Sequence, residues 1–175
     1  ISKCVINMLY LLLDSELTSF NKYNSIIAVY MAIIKNNKII DEIDLKLLPD
    51  DGEFIVSPEN MKVNNIDLRN WDGIKYKEAR KILGKFIRKY VFNEKGIRIN
   101  DRLIVIGQGI GGDIEQIHNN LLTKESWEDS VDRIIIDTIQ LASTLRQMGK
   151  LPNLKSVRLE ELYWYFGLGD MSEVY

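Results

Sequence analysis

The 175-residue sequence predicts a single α/β domain built on a mixed five-stranded sheet with flanking helices. Two observations carry that prediction. The N-terminal third holds runs of branched apolar residues separated by turn residues, the pattern of antiparallel strands. The rest alternates apolar runs of strand length with stretches whose apolar residues recur at helical spacing. Composition agrees, since 46% hydrophobic and 27% charged residues support one packed core and exclude a disordered chain.

Residues 8–13 form a short apolar run, and residues 26–34 (IIAVYMAII) form a second, rich in branched side chains. Asn36 and Asn37 make a tight turn, after which residues 38–48 alternate as the returning strand of a hairpin. Over residues 76–90 the period changes. Ala79, Ile82, Leu83, Phe86, Ile87 and Tyr90 share one helical face, while Lys77, Lys81, Lys85, Arg88 and Lys89 share another. Residues 103–106 predict a buried strand, followed by a glycine-rich stretch at 107–112 and a helix over 113–122. A short strand at 134–136 and two closing helices at 137–147 and 156–166 complete the order, with Gly149 and Pro152 in the loop between them. Trp71, Trp127 and Trp164 are expected in the core or at its edge.

Bulk properties narrow the function classes. A net charge of −2 does not mark a protein that coats polyanions by bulk attraction. The single cysteine, Cys4, excludes an intramolecular disulfide framework and a cysteine zinc cluster, and it fits a reducing cytoplasm. The apolar stretch 5–13 has the length of a signal-peptide core, but Asn7 interrupts it and Asp14 closes it without a small-residue cleavage site, so it reads as a strand. No run approaches the roughly 18 apolar residues of a spanning helix, so no membrane association is expected. A homodimer is compatible with the sequence.

Chemistry first appears where the first strand ends. Asp14 and Glu16 are two residues apart, so in an extended chain both carboxylates point to one side of the sheet. Paired carboxylates hold hard cations such as Mg²⁺, together with waters and substrate phosphate. Taken alone, the pair also reads as a strand stopping at a solvated acidic turn.

In LLLDSELTSF an apolar strand runs into Asp-x-Glu-x-Thr, with Asp14, Glu16 and Thr18 in register. This is similar to the first motif of the DEDD (DnaQ-like, RNase T-like) 3′–5′ exonucleases, whose fold is RNase H-like. VSPENMKVNNI, at residues 56–66, is similar to a family segment of the form I-S-P-E-x-x-x-V-H-G-I, with Ser57 as cap and Pro58 opening a turn of helix. IVIGQGIGGDIEQI resembles the second motif, with Gly107 in place and Asp113 as the acid. There Gln108 and Gly109 replace the usual His-Asn, and Gly112 stands where an aromatic residue supports the terminal base. IIIDTIQLASTL and VRLEELYWYFGL match two structural helices, the first capped by Asp137.

The resemblance covers residues 8–168 and implies a set of roles. Two Mg²⁺ or Mn²⁺ ions about 4 Å apart would serve terminal phosphodiester hydrolysis. Asp14 would bridge them, Glu16 would hold one, and Asp113 would orient the other. Thr18 and Leu17 would contact the terminal nucleotide of a single-stranded DNA or RNA 3′ end. The third motif, H-x-A-x-x-D or Y-x-x-x-D, is expected on a final helix just past Tyr175, so residues 1–175 would be one exonuclease-like domain without that helix. Tyr165 and Asp170 stand near the required offset, but Gly167 and Gly169 disfavour the helix that would present them. His118 follows Asp113 by five residues, about 140° around a helix, and reads as an exposed or core-edge residue.

Residues 75–102 carry ten Lys/Arg against three Asp/Glu, a charge bias that serves either phosphate attraction or a solvated helix back. Two other functions fit the residues. One is a catalytically silent domain of this fold that binds nucleic acid or a protein partner. The other is an unrelated α/β metallohydrolase of small molecules whose acidic pair imitates the motif.

Overall fold

A computed structural model describes residues 8–18, 25–56 and 67–168. The expected turn at Ser57 and Pro58, together with Cys4 and Asp170, lies outside the described residues. The strands are β1 (Leu9–Leu17), β2 (Ile26–Lys35), β3 (Lys38–Leu48), β4 (Ile74–Lys75), β5 (Leu103–Gly107) and β6 (Val131–Asp137). The helices are α1 (Tyr76–Arg88), α2 (Gly111–Asn120), α3 (Lys124–Glu128), α4 (Thr138–Gln147) and α5 (Leu159–Tyr165), with one 3-10 turn at Leu68–Asn70.

The sheet has the order β4-β3-β2-β1-β5-β6. Strand β2 is antiparallel to both β1 and β3, while β5 runs parallel to β1 and β6 parallel to β5. This is the expected mixed sheet with flanking helices, extended to six strands by β4. That strand is two residues long and pairs in parallel with Leu47 and Leu48, a length too short to leave a period in the sequence.

The β2–β3 hairpin turns at Asn36 and Asn37, both with positive φ, as the two-residue loop requires. Its register shifts by one between the Ile33–Asp41 and Ile34–Ile39 pairs, which leaves Ile40 as the extra residue of a bulge. A second irregularity falls between Glu16 and Leu17 opposite β2.

Alternation divides the sheet into two faces. One face, carrying Leu11, Leu13, Val29, Met31, Ile33 and Val105, is fully buried against α1 and α2 in the main core. Tyr76, Ala79, Leu83, Phe86 and Ile87 of α1 supply the helical side of that core, as their spacing predicts. Burying side chains of this size stabilises the fold by about 1.5–3 kcal/mol each before entropy is counted. Ala142, Leu154 and Leu162 form a second, smaller cluster from α4, α5 and the loop between them. Trp127 is buried and Trp71 half-buried, but Trp164 is 54% exposed, which corrects its assignment to the core edge. Trp164 lies on the side of the short helix α5 away from Leu162, where no neighbour covers it among the described residues. No helix among the described residues is long and apolar enough to cross a membrane.

Candidate active site

Parallel pairing of β1 with β5 brings the ends of both strands to one edge of the sheet. Asp14 and Glu16 lie on the exposed face of β1, and Gly107 closes β5 beside them. The chain then turns through Gln108 and Gly109 into α2, which delivers Asp113 in its first turn. Asp14, Glu16, Leu17 and Asp113 thereby line one cleft of about 320 Å³, with Ser15, Gln108, Gly109 and Gly112. Two motifs about a hundred residues apart in the chain thus meet at one site.

Gly107 is required for this approach. A β-carbon there would stand 2.9 Å from the carbonyl oxygen of Leu13 and 2.4 Å from the end of the Ile110 side chain. Gly109 adopts φ +65°, and its N–H donates to the Asp137 carboxylate at 3.2 Å. The same Asp137 oxygen accepts from the Ile139 N–H at 2.8 Å, so Asp137 caps α4 as its position predicts and also holds the loop before α2. Gln108 bonds away from the cleft: its amide nitrogen donates to the Val157 carbonyl at 3.5 Å, and its amide oxygen accepts from Thr138 at 3.3 Å. Open space lies around the α-carbon of Gly112.

The electrostatics of the cleft are one-sided. Burial pushes the Asp14 carboxyl up, partly offset by the Ser15 N–H. Burial also raises Glu16, and the charges of Asp14 and Asp113 raise it further. Asp113 is raised by burial and by the charge of Asp14, against the lowering pull of the Ser15 hydroxyl. Burial makes each carboxylate costly to ionise, and neighbouring charge adds to the cost at Glu16 and Asp113, the condition a bound cation relieves. The donor set is hard oxygen, which suits Mg²⁺ or Mn²⁺. Among the described residues, however, no three acidic, histidine or cysteine side chains close to metal-ligand geometry.

Ser15 is the residue that sequence reasoning missed. As the middle residue of Asp-x-Glu it points to the opposite face of the strand, the face that α2 covers, and this parity was the available signal. Thr18 has a different placement from Leu17. It is 1% exposed, its hydroxyl donates to the Ile55 carbonyl and accepts from the Ser25 N–H at 2.8 Å, and its own N–H donates to the Ser25 carbonyl at 2.9 Å. Its side chain ties the end of β1 to the start of β2 and to residue 55. His118 bonds through Nδ1 to the Leu122 carbonyl at 3.2 Å and meets the Trp127 ring edge-on, which places it in the α2–α3 packing. Tyr165 donates to the Pro152 carbonyl at 3.0 Å.

No family model matches the sequence, and comparison with curated proteins finds no relative. Solved structures do match. A chain in the structure of the yeast NOT1 MIF4G domain co-crystallised with CAF1 aligns over 91% of this chain and 69% of its own length, at 13% identity and a TM-score of 0.60. Cell-death related nuclease 4 (CRN-4) aligns over 82% of this chain at 14% identity and a TM-score of 0.56, and this chain spans half of its length (50%). Exonuclease X in complex with 5′ overhanging duplex DNA aligns over 89% of this chain and 71% of its own, at 14% identity and a TM-score of 0.52. At such identities the likeness is one of fold alone, and the mixed sheet with its flanking helices has the RNase H-like architecture expected from the sequence.

Proposed function

We propose that this protein is a metal-dependent 3′–5′ exonuclease that removes nucleotides from the 3′ end of single-stranded DNA or RNA. The observation that carries the reading is the convergence of Asp14, Glu16 and Asp113 on one cleft, all three raised and none held by a cationic side chain among the described residues. The nuclease structures that share the fold support it.

In this reading Asp14 and Glu16 hold Mg²⁺ or Mn²⁺ from the strand end, and Asp113 contributes from α2. When bound, two such ions lower the pKa of a water and neutralise charge on a phosphodiester oxygen. The protein's own share is positional. The β1 strand fixes the acidic pair, the Ser15 hydroxyl orients Asp113, and Gly107 lets α2 approach. Leu17 lines the cleft beside the acids and contacts the terminal nucleotide, while Thr18 braces it from behind. Open space at Gly112 leaves that nucleotide without the aromatic support that the family resemblance describes.

The test is digestion of a 5′-labelled single-stranded oligonucleotide, DNA and RNA separately, by the full gene product with Mg²⁺ or Mn²⁺. A ladder shortening from the 3′ end, abolished by chelator and by Asp14→Ala, is the expected result. No cleavage by the folded, full-length protein sinks the reading and leaves a binding role for the fold.

A further inference from the structure

Beside the cleft, the exposed face of the sheet presents two rows of side chains. Strand register aligns Asp14, Tyr30 and Asp44 in one row and Glu16, Ala28 and Lys46 in the next. These rows floor a second groove, of about 270 Å³, which shares Asp14 and Glu16 with the cleft and ends at Trp71. Ala28 is the small residue between Glu16 and Lys46, so the second row dips between its charged ends. The Tyr30 hydroxyl is engaged by Glu42 at 2.6 Å, away from the acidic pair.

Lys46 is the one cation lining this groove, against three carboxylates, and it enters no ion pair among the described residues. Its ammonium stands 5.1 Å from the centre of the Trp71 ring. The Trp71 indole N–H donates to the Leu47 carbonyl at 3.1 Å, so the ring is pinned to β3 next to the lysine it steadies. A cation held on an aromatic face, and not spent on the nearby acids, is available to an anion that arrives along the groove. The Lys46 α-carbon lies two strand spacings, about 9.6 Å, from that of Glu16, and the lysine stem spans part of that gap.

We propose that Lys46, positioned by Trp71, binds the phosphate one nucleotide inward from the scissile phosphodiester. The assignment rests on the exonuclease reading and sharpens its substrate: an oligonucleotide with at least two phosphates, which reaches Lys46, in preference to a mononucleotide ester, which ends at the acids. Lys46 is a binding residue here and Trp71 a positioning residue.

Steady-state trimming of a single-stranded oligonucleotide and hydrolysis of a mononucleotide p-nitrophenyl ester separate the possibilities, using full-length wild type, Lys46→Gln, Lys46→Arg and Trp71→Leu. Lys46→Gln should raise KM for the oligonucleotide about tenfold, leave kcat within about twofold, and leave the small ester unchanged. It should also flatten the dependence of log(kcat/KM) on log salt by about 0.7, the loss of one single-strand phosphate contact. Lys46→Arg should restore both, and Trp71→Leu should fall between. An unchanged salt slope, or equal losses on both substrates, overturns the Lys46 assignment while wild-type trimming keeps the exonuclease reading. Wild-type protein that trims nothing removes both.

Discussion

Ser15 and Asp113 stand 98 positions apart and meet as hydroxyl donor and carboxylate acceptor. The contact lowers Asp113 against the burial and the Asp14 charge that raise it. Ser15→Ala removes the largest lowering influence and leaves the raising ones, so Asp113 should titrate higher and hold Mg²⁺ about fivefold more weakly, a loss of about 1 kcal/mol. Carboxyl NMR titration of Asp113 and calorimetry with Mg²⁺ read the two effects. An unmoved Asp113 titration contradicts the role given to Ser15.

The raised carboxyls also predict how stability follows pH. Asp14, Glu16 and Asp113 bind their protons more tightly in the folded chain than in the unfolded one. Their charge therefore costs stability above the folded pKa, and the cost is relieved as pH falls through it. In chelator, the urea midpoint should rise from about pH 7.5 toward about pH 5, and Asp14→Asn with Asp113→Asn should flatten that rise. Asp41 works in the opposite sense: Lys89 and Tyr90 hold it low, so its contribution is lost only at more acidic pH.

A divalent cation should relieve the same repulsion at neutral pH. At ten times its dissociation constant, Mg²⁺ or Mn²⁺ stabilises the native state by about 1.4 kcal/mol. For a domain of this size that is a Tm increase of about 3–6 °C. Differential scanning fluorimetry at matched ionic strength should show the increase in wild type and lose it in Asp14→Ala.

Two glycines around the turn from β5 into α2 should respond in opposite directions. Gly107→Ala forces a β-carbon onto the Leu13 carbonyl and should cost about 2–3 kcal/mol. Gly112→Ala enters open space in the first turn of α2 and should gain about 0.5 kcal/mol. Chemical denaturation of the two variants provides the comparison.

Thr18→Val separates a bracing role from a substrate contact. It leaves the Ile55 carbonyl and the Ser25 N–H without their hydroxyl partner and should cost about 2 kcal/mol of stability. KM for an oligonucleotide should stay within twofold of wild type, on the order of experimental scatter for a residue that makes no substrate contact. A selective rise in KM at unchanged stability would return Thr18 to the substrate.

Much of this architecture is legible in the sequence. The three opening strands announce themselves through branched apolar runs, and α1 through a clean 3.6-residue period, because both bury one face against a single core. The candidate site is legible in two ways: Asp14 and Glu16 share parity on one strand, and Asp113 is picked out by the resemblance of the segment after β5 to an exonuclease motif. What escaped depends on contacts that parity does not encode. Strand β4 exists only because Ile74 and Lys75 happen to lie beside Leu47 and Leu48. The Thr18 side chain points into the protein because the β1–β2 pairing slips after Glu16, so its place in the Asp-x-Glu-x-Thr spacing does not reveal its environment. Helix α3, with five residues and one buried tryptophan, is too short to carry a period.

The bulge at Ile40 has a reach greater than its size. It takes up one extra residue of β3, so that Asp44 stays opposite Tyr30 and Lys46 opposite Ala28, and deleting Ile40 would close the bulge and leave those pairs in place. A one-residue deletion beyond it, with the bulge kept, would instead turn Asp44 and Lys46 inward and carry Leu45 and Leu47 to the surface beside the acids. The chemistry next to Asp14 is thus insulated by the bulge from a change of count at the turn, and exposed to the same change made a few residues further along the strand.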